Sequence, residues 1–260
     1  MSGGAFRFYR DQPLVIGHRG ARDIAPENTM AAFRAAIDVG ADGIELDIVR
    51  CATGEIVVLH DDSVDRTTDG SGLVREIPFS ALHELDAGGW FSSDYVGERI
   101  PLLQEVLDWL PPYFRINIEI KGANMRGDGI EQEIAEMIRA RDLGGQVIIS
   151  SFNPMTLWRM RRIAPEFKRG LLYASDMPIL LARAWSRRFI RPDALHPQAS
   201  MVDENYMRWA RRHGYHVNVW TVNETAEMHK MIDLGVDARS AGPSAIITDH
   251  PGQLRGMLPR

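Results

Sequence analysis

The chain has little cysteine, no long hydrophobic run and no excess of positive charge. Cys51 is the single cysteine among 260 residues, which excludes an internal disulfide and any metal site built mainly from thiolates. No apolar run approaches the length of a membrane span, and the amino-terminal residues lack an apolar core followed by a small-residue cleavage site. We therefore expect a soluble, cytoplasmic protein without stable membrane insertion.

The balance of charge argues against nucleic acid as a partner. The 30 basic and 35 acidic residues give a net charge of −5, and no basic stripe is interleaved with aromatic side chains. Arginines gather at residues 159–162 and 182–192, which we interpret as solvated helix faces. At this length, with 45% hydrophobic and 25% charged residues, we predict a single domain over residues 1–260. The oligomeric state stays unknown.

Strands and helices alternate along the sequence. Apolar runs predict strands near residues 13–17, 43–50, 115–120, 146–151, 169–173, 194–196, 216–222 and 245–248. Helices are predicted at 30–39, 101–110, 128–141, 154–163, 178–189, 203–213 and 224–234, with one more at the end. This alternation predicts an α/β fold, a (β/α)8 TIM barrel. An open doubly wound sheet is the alternative, but neither a dinucleotide fingerprint nor a P-loop supports it.

Residues 51–100 interrupt the alternation after the second strand. About five residues separate strand 43–50 from the apolar run at 56–59, which suits a hairpin and is too short for a parallel crossover. Residues 62–99 are rich in Asp, Gly, Ser and Thr and show no long period. We therefore predict a small, partly irregular, hairpin-bearing insertion between strand 2 and helix 2, with His60 folded back beside its own strand.

Acidic residues in the second strand indicate a metal site. Glu45 and Asp47 are two apart, so their side chains leave the same face of the strand, while the apolar residues between them take the other face. In a barrel the carboxyl ends of the strands share one mouth, so His18 and Glu119 would lie beside them. Three carboxylates without cysteine favour one hard divalent cation, Mg²⁺ or Ca²⁺, over zinc.

Histidine and basic side chains are expected at the same mouth. His18 and His60 would flank the cation and suit an acid/base pair, because imidazole titrates near working pH. Arg19 and Lys121 add positive charge in a chain without a basic excess. That local charge points to a phosphate group as the reacting part of the substrate.

Short motifs in the order of a known family run along nearly the whole chain. They are His18-Arg19-Gly20, PENT (26–29), ELD (45–47), VVLHD (57–61), RTT (66–68), EIK (119–121), SFNP (151–154), WTVN (220–223) and TD (248–249). This set resembles the glycerophosphodiester phosphodiesterase family in its bacterial, cytoplasmic form. The resemblance implies a barrel with an insertion after strand 2.

The resemblance also implies roles for the site residues. Glu45, Asp47 and Glu119 would hold the metal, and His18 and His60 would be the catalytic acid and base. Arg19 and Lys121 would contact the phosphate.

The implied reaction is metal-dependent hydrolysis of a small-molecule glycerophosphodiester to an alcohol and sn-glycerol 3-phosphate. The sequence leaves open which histidine is the acid, and whether water or a glycerol hydroxyl attacks. One alternative is a lysophospholipase D or sphingomyelinase-D-like enzyme acting on membrane lipid. Another is a barrel that binds phosphodiesters without hydrolysing them. Residues 185–190 are basic and apolar enough to touch a bilayer, although we expect them to pack on the barrel.

Phe152 and Trp220 follow strands whose ends share the rim with the metal-binding residues. Aromatic faces pack well against the carbon side of glycerol, and the sequence offers no evident cage for a choline head group. We therefore predict recognition through the glycerophosphate half, with tolerance of the leaving alcohol.

Two departures from the family pattern stand out. Leu102 and Gln104 occupy positions where the family commonly has Thr and Glu, and neither is an expected ligand. Residues 237–245 form a longer turn into the last strand than is usual.

Overall fold

The structure, a computed structural model, describes residues 8–122, 127–236 and 243–258, apart from the side chains of residues 235 and 236. Within these residues the strands are β1 (Leu14–His18), β2 (Gly43–Arg50), β3 (Ile56–Val58), β4 (Arg115–Ile120), β5 (Val147–Ser151), β6 (Lys168–Tyr173), β7 (Ala194–Pro197), β8 (His216–Val219) and β9 (Ala245–Thr248). The α-helices are α1 (Met30–Asp38), α2 (Phe79–Leu82), α3 (Leu103–Trp109), α4 (Ile130–Ala140), α5 (Pro154–Ile163), α6 (Ile179–Ala182), α7 (Arg187–Ile190), α8 (Glu204–Arg212), α9 (Thr225–Val236) and α10 (Pro251–Met257).

All strands except β3 form a closed parallel barrel. Their order around the ring is β1, β9, β8, β7, β6, β5, β4, β2, and the pairing of β1 with β2 closes it. Strand β3 lies outside the ring and pairs with β2, antiparallel. The predicted (β/α)8 barrel with a hairpin after its second strand is confirmed, and the open doubly wound sheet is excluded.

Alternation on β2 fixes which face carries the acids. Its apolar side chains Ile44, Leu46 and Ile48 are fully buried among residues of α1, α3 and α4. Burying one such side chain contributes roughly 1.5–3 kcal/mol, so a one-residue slip of the strand would be strongly unfavourable. Glu45 and Asp47 are thereby held on the opposite face, toward the barrel interior.

Two aromatic residues before β1 close the amino-terminal end of the barrel. Phe8 is 1% exposed and packs with interior residues of β1, β5 and β9. Its carbonyl accepts a hydrogen bond from Arg115 at the start of β4, and Tyr9 stacks on His216 at the start of β8. The opposite, carboxyl-terminal mouth is the end that carries the predicted site residues.

The insertion has a small core of its own. Residues of its loops and of β3 pack together: Cys51, Val57, Leu59, Val64, Val74, Leu82, Ala87 and Ile100. Its regular structure is limited to β3, α2 and 3₁₀ turns at Val74–Glu76 and Ser93–Tyr95. The prediction of a partly irregular segment is confirmed.

The predicted continuous helix over residues 178–189 is wrong. The structure has the two short helices α6 and α7, separated by Ala184 in a left-handed conformation (φ 48°). Ala184 and Ile190 are buried against the barrel, while Trp185 and Phe189 are 54% and 47% exposed. The expectation that residues 185–190 pack on the barrel therefore holds for Ile190 and fails for these two aromatic residues.

Smaller boundary differences have local causes. Helix α3 begins at Leu103 and not at Pro101, because the Pro101 carbonyl accepts from the Val58 amide and Leu102 forms a bridge with Val57. Leu102 offers no capping oxygen, and the Glu105 carboxylate accepts from its backbone amide instead, at 2.8 Å. Of the long turn at 237–245, residues 237–242 lie outside the described part of the chain. Among the described helices, none is long and apolar enough to cross a bilayer.

Candidate active site

Three buried carboxylates meet at the carboxyl-terminal mouth of the barrel. Asp47 on β2 is in register with Glu119 on β4, and Glu45 lies two residues before Asp47 on the same face of β2. All three are nearly inaccessible, and one oxygen of each lies within 4.8 Å of the others. Burial raises the pKa of Glu45 and of Glu119, and the charge of Asp47 raises both further. The cluster therefore holds more negative charge than its surroundings neutralise.

Two basic side chains contact this cluster. Lys121 Nζ lies 2.9 Å from Asp47 Oδ1 and 2.8 Å from Glu119 Oε1. Arg19 Nε lies 3.2 Å from Asp47 Oδ2. Burial by itself would raise the pKa of Asp47, but Lys121 and Arg19 outweigh it and hold that pKa below its usual value. Two cations facing three carboxylates leave one negative charge unmatched, and an all-oxygen donor set of this kind suits a hard divalent cation.

The loop after β1 is shaped to reach these carboxylates. Arg19 has a left-handed backbone (φ 56°), and its amide donates to Glu45 Oε2 at 3.1 Å. Asn28 is also left-handed (φ 58°), and its Nδ2 donates to Asp47 Oδ2 at 3.0 Å. The Asn28 amide donates to the Arg19 carbonyl, which joins the two strained positions. Non-glycine residues in this conformation are uncommon and cluster at functional sites.

Each predicted catalytic histidine is hydrogen-bonded to an aspartate. His18 Nδ1 lies 2.6 Å from Asp249 Oδ1, and His60 Nδ1 lies 2.5 Å from Asp61 Oδ1. Because an ionised carboxylate can only accept a hydrogen bond, Nδ1 of each neutral ring carries the proton and Nε2 is the basic nitrogen. Both histidines line the same pocket. Burial lowers the pKa of both imidazoles, and the Asp249 hydrogen bond opposes this at His18.

Asn223 supports the first of these pairs. Its Nδ2 donates to Asp249 Oδ2 at 2.8 Å, while its Oδ1 accepts from the Asp249 amide at 3.0 Å. Both oxygens of Asp249 are thereby engaged, one by Asn223 and one by His18. The side chain of Asp249 is held in a single orientation toward the imidazole.

Glu27 joins the first loop to the insertion. Its carboxylate is 2% exposed and contacts Arg19 at 2.7 Å and Arg22 at 3.1 Å. Arg66, from the insertion, donates to both of its oxygens at 3.0 and 2.7 Å. Arg66 also donates to Asp61, the partner of His60, at 2.6 Å. A continuous set of charged contacts therefore runs from His60 to Arg19.

The predicted aromatic pair forms one wall of the pocket. Phe152 and Trp220 meet edge to face, with ring centroids 5.4 Å apart. Trp220 Nε1 donates to the His196 carbonyl at 2.7 Å, which fixes the indole. The pocket, of about 60 Å³, also reaches both histidines and Glu119.

The structure brings together every residue that the sequence placed at the site. The residues that support them received no role in the sequence analysis: Glu27, Asn28, Asp61, Asn223 and Asp249. Their positions in loops that follow strands are the available signal, since such loops meet at the barrel mouth. Their partners could not be deduced without the closed ring.

Comparison with known proteins agrees with this site. The sequence model of the glycerophosphoryl diester phosphodiesterase family matches residues 18–253 of this chain. A glycerophosphodiester phosphodiesterase from Caldanaerobacter subterraneus subsp. tengcongensis is 39% identical over 248 residues, covering 94% of this chain and 97% of the relative. One from Bacillus subtilis is 31% identical over 255 residues, covering 93% and 85%.

Solved structures agree with the fold. The crystal structure of a glycerophosphodiester phosphodiesterase from Agrobacterium tumefaciens is 28% identical with a TM-score of 0.79, covering 94% of this chain and 100% of that one. An Oleispira antarctica phosphodiesterase, in complex with the product sn-glycerol-3-phosphate, is 29% identical with a TM-score of 0.78, covering 94% and 96%. The chain therefore belongs to the glycerophosphoryl diester phosphodiesterase family and is an enzyme of that class, a hydrolase of phosphoric diesters.

Proposed function

We propose that the enzyme hydrolyses small glycerophosphodiesters to an alcohol and sn-glycerol 3-phosphate, with help from a bound divalent cation. The observation that carries the proposal is the convergence of three buried carboxylates, two basic side chains and two histidines on one small pocket. The complex of the Oleispira antarctica relative with sn-glycerol-3-phosphate supports the choice of product.

The basic side chains are proposed to hold the phosphate. Arg19 and Lys121 both line the pocket, and both are already anchored on Asp47. An anchored cation loses little freedom when it binds an anion, so it can offset charge that grows on the phosphoryl oxygens as phosphorus is attacked. Lys121 would share its contacts between Asp47, Glu119 and the substrate, and Arg19 Nε, which makes no hydrogen bond to a described residue, is free to donate to a phosphoryl oxygen.

The histidines are proposed to move the two protons of the reaction. One Nε2 would accept a proton from the attacking hydroxyl, and the other would give a proton to the departing alcohol oxygen. Asp249 and Asp61 hold the rings of His18 and His60 in the tautomer that this requires. Both rings make the same Nδ1 contact with an aspartate, so this contact assigns the acid to neither of them. The nucleophile is either water or a glycerol hydroxyl.

A divalent cation would be held by Glu45, Asp47 and Glu119. When bound there, such an ion would neutralise the carboxylates and polarise a phosphoryl oxygen. The donor set consists of oxygen atoms, which suits Mg²⁺ and Ca²⁺ equally in kind. Burial and the charge of Asp47 raise the pKa of Glu45 and of Glu119, so a cation bound here would favour their ionised forms.

The aromatic wall is proposed to face the glycerol carbons. Phe152 and Trp220 line the same pocket as the charged residues, and a hydrogen bond fixes the indole, so the rings offer an apolar surface to the carbon atoms of glycerol. Recognition would then rest on the glycerophosphate half that all substrates share. We also propose that residues 1–260 form one unit with the insertion at about 51–100 over its mouth. We also propose a cytoplasmic location.

The proposal is tested with glycerophosphocholine and carboxylate variants. Glu45→Gln and Glu119→Gln should each abolish divalent-dependent turnover while the circular dichroism spectrum is retained. The matched control is Glu131→Gln, because Glu131 is equally buried but pairs with Arg159 on α5, outside the pocket. Full turnover in both site variants, or in the parent enzyme after chelation, would contradict the metal assignment.

Lysophospholipids test the alternative substrate class. A groove lined by Phe152, Pro154 and Leu181 leads outward from Glu119 and Lys121 and could accept an acyl chain. A screen of glycerophosphocholine, glycerophosphoethanolamine, glycerophosphoinositol and lysophospholipids would rank the two classes by kcat/KM. Higher efficiency for lysophospholipids would favour the lysophospholipase D alternative.

A further inference from the structure

We infer that the segment between β6 and β7 is a docking surface for an anionic lipid bilayer. It is referred to below as the α6–α7 surface, and it consists of four apolar and three basic residues: Ile179, Leu180, Trp185, Phe189, Arg183, Arg188 and Arg191. The inference goes beyond hydrolysis, because binding to a bilayer can be measured without any substrate.

The apolar residues of this surface are unusually exposed. Ile179, Leu180, Trp185 and Phe189 are 63%, 53%, 54% and 47% accessible. They lie within eleven consecutive positions of the sequence and make up half of the large exposed hydrophobic residues in the described part of the chain. Exposed apolar side chains gathered in one place mark an interaction site, whereas scattered ones need no explanation.

The short helices are anchored so that this exposure is maintained. Ala184 and Ile190 are buried in a cluster with residues of β6, β7 and α5. The Arg161 side chain donates to the Phe189 carbonyl at 2.7 Å, and the Arg187 guanidinium stacks on Trp209. These contacts anchor the backbone that carries Trp185 and Phe189, and both side chains are exposed on it.

The charge around the apolar residues is positive and unpaired. Residues 177–192 contain no Asp or Glu. Arg183, Arg188 and Arg191 are exposed, and none of them forms an ion pair with the described residues. Other arginines on neighbouring elements do pair, for example Arg139 with Glu166 and Arg169 with Asp193.

This combination selects an anionic bilayer over a second copy of the chain. In a symmetric dimer the same surface meets itself, so three unpaired arginines would face three others. In a bilayer the arginines reach lipid phosphates while tryptophan and the aliphatic residues enter the boundary between head groups and acyl chains. Tryptophan is enriched at that boundary because its ring is amphipathic.

The α6–α7 surface lies on the same rim of the barrel as the active site. Helices α6 and α7 follow the carboxyl end of β6, on the rim that holds the active site. Leu181, beside this surface, lines the groove that also contains Phe152 and Glu119. Contact with a bilayer would turn the barrel mouth toward lipid head groups and toward lysolipids leaving the membrane.

Sedimentation with vesicles tests the inference on the intact chain. We expect binding to phosphatidylcholine vesicles that contain phosphatidylglycerol, and at least about tenfold weaker binding to phosphatidylcholine alone, with a steep loss in high salt. The triple variant Arg183→Gln/Arg188→Gln/Arg191→Gln should bind about 100-fold more weakly, since each basic residue near an anionic surface contributes about fivefold. Trp185→Ser/Phe189→Ser should weaken binding by about tenfold or more.

Matched controls remove the same groups elsewhere. Tyr113→Ser deletes an aromatic residue that is more exposed (64%) than Trp185 or Phe189 and lies before β4, at the other end of the barrel. Arg34→Gln/Arg99→Gln/Arg212→Gln deletes three exposed arginines outside the surface that likewise form no ion pair with the described residues. Both controls should retain vesicle binding, and all variants should turn over glycerophosphocholine in solution at the parental rate.

Several results would overturn the inference. These are no binding of the parent chain, equal binding to both vesicle types, or a surface triple variant that binds like its control. Dimerisation of the parent without vesicles, abolished by Trp185→Ser/Phe189→Ser, would show that a second copy covers the surface. The dependence of binding on lipid and salt is measured on the parent chain. It therefore tests the inference even if a variant fails to fold. If the parent chain bound anionic vesicles but hydrolysed no glycerophosphodiester, the proposed function would be contradicted and the docking surface would stand.

Discussion

Glu27→Gln removes one charge from a buried contact among three guanidinium groups. The parent carboxylate is 2% exposed and lies 2.7 Å from Arg19, 3.1 Å from Arg22 and 2.7 Å from Arg66. Glutamine has nearly the same shape and keeps one acceptor oxygen, so little packing is lost. The change therefore isolates the electrostatic contribution of Glu27 to the free energy of unfolding.

The magnitude follows from the acidity of this carboxyl group. Burial alone would raise the pKa of Glu27, but hydrogen bonds and charges from Arg66, Arg19 and Arg22 lower it from 4.5 to about 2. One pKa unit corresponds to about 1.4 kcal/mol, so the ionised form contributes roughly 3 kcal/mol at pH 7. Since the pKa is lower in the folded state, this stabilisation is complete above about pH 5 and is lost as the pH falls toward 2. At pH 3 roughly 1.4 kcal/mol should remain.

Urea denaturation at pH 7 and at pH 3 measures both values. The matched control is Glu133→Gln, because Glu133 makes the same two-oxygen contact with Arg50 (3.1 and 3.0 Å) but is 45% exposed. Exposed ion pairs contribute about 0–1 kcal/mol, so the control should lose little stability at either pH.

Two outcomes would refute this reasoning. One is a loss at pH 7 below about 1 kcal/mol for Glu27→Gln, comparable to the control. The other is a larger loss that does not shrink between pH 7 and pH 3, which would show that shape and not charge is responsible.

Three further predictions concern catalysis. His18→Ala and His60→Ala should each lower kcat by about 10²-fold or more. A nitrophenyl ester needs less protonation of its leaving group, so the variant that this substrate rescues would identify the acid. Normal turnover in both variants would contradict their roles. Asp249→Asn should lower kcat and leave KM nearly unchanged, because the amide favours the wrong tautomer of His18, and a pH–rate profile identical to that of the parent enzyme would argue against this positioning role. Trp220→Ala should raise KM by similar factors for glycerophosphocholine and glycerophosphoethanolamine, and a sharp difference between the two would show that the indole contacts the alcohol.

Local sequence patterns were sufficient to predict the barrel and the face of β2 that carries the proposed metal ligands. The alternation of acids and aliphatic residues on β2 places Glu45 and Asp47 on one face by the geometry of any strand, and burial of the aliphatic side permits no other register. The spacing between β2 and β3 allowed only a hairpin, which placed His60 near Asp47. These are contacts between near neighbours in sequence, where covalent geometry leaves few choices.

The break between α6 and α7 depended on the barrel. Residues 178–189 contain good helix formers and no glycine or proline after Pro178, so propensity favours one helix. Burial of Ala184 and Ile190 against the strands requires the turn at Ala184, and it also leaves Trp185 and Phe189 facing outward. Packing of two side chains outweighed a preference of a few tenths of a kcal/mol per residue.

Only the closed ring decided how the site is supported. Asp249 is 231 positions from His18 and reaches it because β9 pairs with β1. Glu27 and Arg66 meet because the insertion folds back over the first loop. The sequence by itself determined which chemical groups the strands carry to the mouth. The tertiary structure determined which groups touch, because contacts between distant residues depend on how the ring closes and on which charges are buried together.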